Sequence, residues 1–230
     1  MRLDSFKVAC SSCNLRELCL PVGLTQNQLN HLDDLVASRK MVKRGEALFH
    51  TGDPFRSLYA VRTGFFKTRI SAEDGRDQVT GFQMAGELLG LDGISTDRHA
   101  CDAVALEESV VCTIDYNELE DLLHEFPDLR RQFQRIMSRE IVRSLDMMRL
   151  LGGMCAEKRV ATFLLDLTQR MKSRGGSASS LVLPMTRDKI HIRVVDHPTV
   201  DKLVVRGVDV LIVQNANRGQ RLHWCTVEKI

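Results

Sequence analysis

Three cysteines fall within ten residues near the start of the chain, Cys10-Ser-Ser-Cys13-Asn-Leu-Arg-Glu-Leu-Cys19, in the spacing C-x2-C-x5-C. Thiols this close let the backbone fold around one point, which is what a soft metal centre requires. Free cysteine is uncommon, so a chance grouping of buried or surface thiols is the poorer reading. Spacing alone leaves zinc and an iron-sulfur cluster both open, because each accepts four thiolates. A fourth ligand must come from elsewhere in the chain.

The elements that have to position these thiols can be followed in order. Leu24-Thr25-Gln-Asn-Gln28 reads as a capping box, and Leu29, Leu32, Leu35 and Val36 mark the buried face of a short helix. From Lys40 to Cys112 short alternating or β-branched runs are divided by Gly45, Gly52, Gly64, Gly75 and Gly86. Such intervals predict an antiparallel meander rolled into a barrel or jelly roll. Gly52-Asp53 and Asp74-Gly75 supply turn chemistry, and Leu58-Tyr-Ala-Val61 with Phe65-Phe66 supply strand core. Asp115 and Glu118 open a helix bearing Leu119, Leu122, Leu123 and Phe126, with Pro127 as its stop.

A long helix follows, with Leu129, Phe133, Ile136, Ser144, Met147, Leu151 and Met154 at steps that suit a helix-helix seam and Glu140 in the missing place. Periodicity serves equally well a stripe packed on the chain's own barrel. If the stripe is a dimer seam, the charge of Glu140 weakens the dimer and makes it easier to switch. Another helix is expected over 157–170, then a Gly/Ser loop over 175–180 and a short strand at Leu181-Val-Leu183.

With 230 residues, 43% hydrophobic and 27% charged, the composition is that of an ordinary globular protein with room for one large or two small domains. No apolar run approaches the roughly 18 residues that would span a bilayer. The first nine residues hold no apolar signal core, so a cytoplasmic protein with reduced thiols is expected. Residues 1–127 carry 13 Lys and Arg against 20 Asp and Glu, whereas residues 128–230 carry 19 against 10. A basic rear half suits a phosphate-bearing partner, although solvated helix faces would look the same.

Several motifs in order resemble the family of bacterial regulators built on the cyclic-AMP receptor fold, and within it the branch of the fumarate and nitrate reduction regulator (FNR). They are the three spaced cysteines, Leu48-Phe49 with Gly52-Asp53, Ser57 to Gly64, Thr80-Gly-Phe82, Ala85-Gly-Glu-Leu88, Ser109-Val-Val-Cys112, and Met185-Thr-Arg-Asp-Lys-Ile190. The resemblance implies an α+β chain: a cysteine segment over 1–24, a sensory β-roll of the cyclic-nucleotide-binding type over 25–127, a dimerisation helix over 128–154, and a winged helix-turn-helix over 155–230. It implies Cys112 as fourth ligand, so that Cys10, Cys13, Cys19 and Cys112 hold a [4Fe-4S] cluster, and leaves Cys101, Cys155 and Cys225 outside the set. It also implies promoter DNA and RNA polymerase as partners, a homodimer over Phe133, Ile136, Glu140, Ser144, Met147, Leu151 and Met154, and no enzymatic activity. Oxygen would convert the cluster towards a smaller [2Fe-2S] form and the dimer, with its DNA binding, would be lost. Members that bind cyclic AMP carry an Arg followed by Ser or Thr after the Gly-Glu pair; here Arg98 is followed by His99, so no cyclic nucleotide is expected.

The resemblance breaks after residue 190. Relatives continue with a Glu-x-x-Ser-Arg recognition helix, whereas this chain reads His191-Ile-Arg-Val-Val-Asp-His-Pro198-Thr-Val-Asp-Lys202. Thr186, Arg187, Thr199 and Lys202 are the residues left to touch DNA. Valines at 194, 195, 200, 204, 205, 208 and 210 favour strands over a helix. Leu211-Ile-Val-Gln-Asn215 resembles the wing that follows in relatives. A mismatch of nearly the expected length between two matches points to a diverged reader, to a module without specific DNA contacts, or to an altered reading frame over 191–210.

The function expected is an oxygen-responsive transcription regulator acting as a dimer on palindromic promoters of anaerobic genes. The alternative is a metal-binding sensory protein of the same family that no longer reads DNA.

Overall fold

The computed structural model describes residues 10, 13, 15, 18–71, 77–153, 166, 167, 169–172, 174, 181–183, 190–197 and 200–206. The chain divides into two compact units, Met1–Met147 and Met148–Ile230.

Helix α1 (Gln26–Leu35) begins where the capping box places it. The Thr25 hydroxyl accepts the Gln28 N–H at 3.4 Å, and the Gln28 side chain accepts the Thr25 N–H at 2.9 Å. Two donors that the first turn leaves over are thereby satisfied. Leu29, Leu32 and Leu35 form its buried face.

Eight strands then build the roll: β1 (Val36–Val42), β2 (Ala47–Phe49), β3 (Ser57–Thr63), β4 (Phe65–Ser71), β5 (Asp77–Met84), β6 (Leu88–Leu89), β7 (Asp102–Ala105) and β8 (Ser109–Asp115). They form two antiparallel sheets, in the orders β1-β8-β3-β6 and β2-β7-β4-β5. Asp74-Gly75, expected as turn chemistry between β4 and β5, lies outside the described residues.

Side chains alternate across a strand, and this decides where the thiols go. On β8, Cys112 and Ile114 enter a core shared with Leu20, Leu32, Leu119 and Phe133, whereas Val111 enters a second core with Phe49, Phe66 and Ala103. Cys101 belongs to that second core. Cys112, paired with Arg39 on β1 and Ala60 on β3, thus faces the helices from mid-sheet.

Helix α2 (Tyr116–Glu125) opens on Asp115, whose carboxylate accepts the N–H groups of Asn117 and Glu118. α2 ends just before Pro127, as expected, and Pro127 in turn begins helix α3 (Pro127–Gly153). Proline fits a first helical turn because it lacks only a donor that would go unused there. Phe126 alone separates the two helices.

In the rear unit the described residues include helical ones at 166, 167 and 169–172 and three strands. These are β9 (Leu181–Leu183), β10 (Ile190–His197) and β11 (Val200–Arg206), in the antiparallel order β11-β10-β9. The run in which the resemblance leads one to expect a recognition helix is a hairpin here, with Val195 opposite Lys202 and Asp196 opposite Asp201. Its valines account for this: β-branched side chains fit a pleated sheet better than a helix. The expected helix-turn-helix is not seen among the described residues, and the wing expected at 211–215 lies outside them.

Candidate metal centre

The cysteine segment is wound by short backbone bonds. The N–H of Cys13 donates to Cys10 C=O at 3.1 Å, and those of Leu18 and Cys19 donate to Leu15 C=O at 2.9 and 3.1 Å. The Cys10 N–H is held by the Asp33 carboxylate on α1. Gln132 on α3 donates to the Cys19 carbonyl at 3.4 Å, and Leu20, 1% exposed, anchors the segment in the core.

So wound, the segment brings Cys10, Cys13 and Cys19 to a single cavity that Cys112 also lines. The rest of its wall is mostly apolar, including Leu15, Leu20, Leu32, Val36 and Ile114, with Arg62 and Gly86 at the barrel side. The Arg62 guanidinium reaches to 3.7 Å from Cys13 Sγ.

Electrostatics follow from this enclosure. Burial, reinforced by Cys19, Asp33, Cys112 and Cys13, pushes the Cys10 thiol far up. Burial pushes Cys19 up to about 12, against the Leu20 N–H that favours its thiolate. Burial also raises Cys112, opposed by the nearby Arg62 and Arg39. Thiolates at Cys10, Cys19 and Cys112 in such a wall need a cationic centre among them, because burial otherwise favours their protonated forms.

Among the described residues, no three His, Cys, Asp or Glu converge tightly enough to grip one metal ion. The donor set that an iron-sulfur cluster takes is four cysteine thiolates. Four thiols lining one largely apolar cavity suit that demand.

The other sequence-predicted residues separate. Phe133 and Ile136 are buried in the chain's own barrel core, so they have no surface to offer a second chain; the seam drawn through them is corrected on that point. Glu140 pairs with Arg143, Ser144 is exposed, and Met147 is half-buried. Leu151 lies in the last turn of α3, and Met154 lies outside the described residues, as do Thr186, Arg187 and Thr199. Lys202 is on strand β11, not on a helix.

What sequence reasoning missed is the apolar surface of α3. Met137, Ile141, Leu145 and Met148 are exposed at steps of four, four and three, with Val142 beside them. These steps put them on one face. The signal was in the sequence, one position along from the stripe that was read. Arg62 was missed as well, since no spacing rule links β3 to the cysteines.

The fold is that of the cyclic-nucleotide-binding β-roll, and a family model described as "Cyclic nucleotide-binding domain" matches residues 39–126. The solved structure of FixK2 from Bradyrhizobium japonicum is similar with a TM-score of 0.59 and 28% identity, covering 65% of this chain and 72% of that one. The transcriptional regulatory protein btr of Bordetella pertussis is 44% identical over 181 residues, 79% of this chain and 75% of that protein. The transcriptional activator protein anr of Pseudomonas aeruginosa is 44% identical over 181 residues, and the fumarate and nitrate reduction regulatory protein of Yersinia pestis 41% over 185, each covered to 74% of its length. The chain therefore belongs to the CRP/FNR family of transcription regulators, close to FNR. Its relatives are regulators and activators, not enzymes. Among the described residues no helix is long and apolar enough to cross a membrane.

Proposed function

We propose that this chain is an oxygen-responsive transcription regulator of the cytoplasm whose Cys10, Cys13, Cys19 and Cys112 hold a [4Fe-4S] cluster. The observation that carries the reading is the meeting of these four thiols, three from the leading segment and one from mid-sheet, at one cavity. When bound, the cluster supplies an oxygen-labile junction between the leading segment and the sheet.

The chain's own residues do the rest. Leu15, Leu20, Leu32 and Ile114 keep bulk water from the sulfurs, and Arg62 offsets the negative charge that deprotonated thiols bring. Gln132 ties the segment to α3, whose Met137, Ile141, Leu145 and Met148 offer an apolar face to a second copy. Pairing two copies would present two DNA-binding units to a palindromic promoter, from which RNA polymerase is engaged. No cyclic nucleotide is needed: Arg98 is exposed and donates to the Gly52 carbonyl at 2.7 Å, so it does not wait as a free phosphate clamp.

Purification without oxygen tests the centre. Straw-brown protein holding about four irons per chain is expected; a colourless zinc protein would overturn the cluster.

One observation favours a second reading. The β10–β11 hairpin occupies the run where a recognition helix would read bases. A member that senses oxygen and dimerises without specific DNA contacts fits that hairpin. Duplex binding separates the two: preference for a palindromic promoter over random duplex supports the regulator, and equal, weak, salt-sensitive binding supports the second.

A further inference from the structure

The turn Ala85-Gly86-Glu87 touches the cysteine segment on one side and α3 on the other. Gly86 lines the cysteine cavity with φ +89°, and a Cβ placed there would lie 2.9 Å from Leu18 Cβ. Only glycine lets the segment come so close in this left-handed conformation. The next residue, Glu87, is 6% exposed. One of its oxygens accepts the Met84 N–H at 3.0 Å, and the other takes the Arg143 guanidinium of α3 at 3.0 Å. Backbone bonds to β3 hold the turn on both sides, Gly86 N–H to Val61 C=O at 2.8 Å and Val61 N–H to Glu87 C=O at 2.9 Å.

We propose that this turn is a strut through which the position of the cysteine segment sets the position of α3, with Glu87 and Arg143 as positioning residues for the exposed apolar stripe. Arg143 and the stripe are carried on one helix, Arg143 two residues from Ile141 and from Leu145 and so on the opposite side, and what shifts the helix at Arg143 shifts the stripe. The Gln132 bond to Cys19 meets α3 among Leu129, Phe133 and Ile136, which belong to the barrel core, away from the exposed stripe. A buried carboxylate facing a cation is the right material for a strut, because its partner cannot leave without stranding a charge. The strut rests on the reading above only for the event that moves the segment, namely a change at the four thiols.

Its test does not depend on that event. In the cluster-free full chain, Leu18→Ala cuts the side chain beside Gly86 back to its Cβ, taking away the Cδ1 that packs there, and hydrogen exchange reads the α3 amides at 137–147. Exchange there is expected to quicken by roughly threefold or more, the scale of coupled neighbours. In the Glu87→Gln background, which keeps the acceptor for Met84 but drops the charge, Leu18→Ala should leave those amides unchanged. Gly86→Ala, pressing on the same contact, serves as the second probe. Equal effects in both backgrounds, or effects confined to the segment and the turn, would overturn the strut. Anaerobic protein that stays colourless would instead count against the cluster, and the exchange result would still decide the strut. If the cluster loads, it should slow exchange at 137–147 in the natural sequence and do so less in Glu87→Gln, by reciprocity of coupling.

Discussion

Asp102 is a carboxylate built into the roll itself. It is 9% exposed and accepts the Thr51 N–H at 2.9 Å and hydroxyl at 3.1 Å, while Arg69 stands 3.2 Å away. Burial pushes its carboxyl up, but the Thr51 and Arg69 bonds outweigh burial and hold it below its ordinary 3.8. A lowered carboxylate stabilises the fold above its ordinary value and loses that contribution as pH falls through the lowered one. Asp102→Asn is therefore expected to cost about 1 to 3 kcal/mol at neutral pH. Its urea midpoint should converge on that of the natural sequence once pH drops well below 3.8; a constant gap would refute the assignment. The thiols make a sharper contrast. Cys112→Ser should abolish iron loading under anaerobic conditions, whereas Cys101→Ser, altering a thiol in the other core, should load in full, as visible absorption and iron content would report.

At the scale of the element, α3 is two helices in one. Leu129, Phe133 and Ile136 belong to the barrel, and Met137, Ile141, Leu145 and Met148 face solvent. Phe133→Ala is expected to destabilise the single chain by about 3 to 5 kcal/mol, as emptied core sites do. Ile141→Asp should change the thermal midpoint of the cluster-free monomer little while weakening self-association of the cluster-loaded protein at least tenfold in sedimentation. Equal losses of stability in both variants would mean that the stripe is not exposed. The hairpin is the opposite kind of element, where local valine content and register agree and the expected helix gives way.

For the whole molecule, the basic rear half sets the long-range field. Binding to random duplex is expected to weaken steeply and linearly in a plot of log affinity against log salt, in either functional reading. Admission of air should abolish any added preference for a palindrome together with the dimer. A preference that survives air at unchanged strength would disconnect the thiols from DNA binding.

Elements governed by neighbours along the chain were legible from residue types and spacing. The α1 capping box, the Asp115 cap, the glycine-divided strands and the valine hairpin all follow from local preference, and the leading cysteine spacing points to a soft metal without choosing between zinc and an iron-sulfur cluster. Resemblance, not periodicity, pointed to Cys112. Tertiary structure alone decided that this thiol faces the helices while Cys101 faces the other core, because facing depends on how two sheets close around different interiors. It decided, too, that Phe133 and Ile136 are spent on the barrel and that Arg143 meets Glu87 across 56 residues. Such contacts depend on which surface finds which, and a helical repeat reads the same whether its partner is a sheet or another chain.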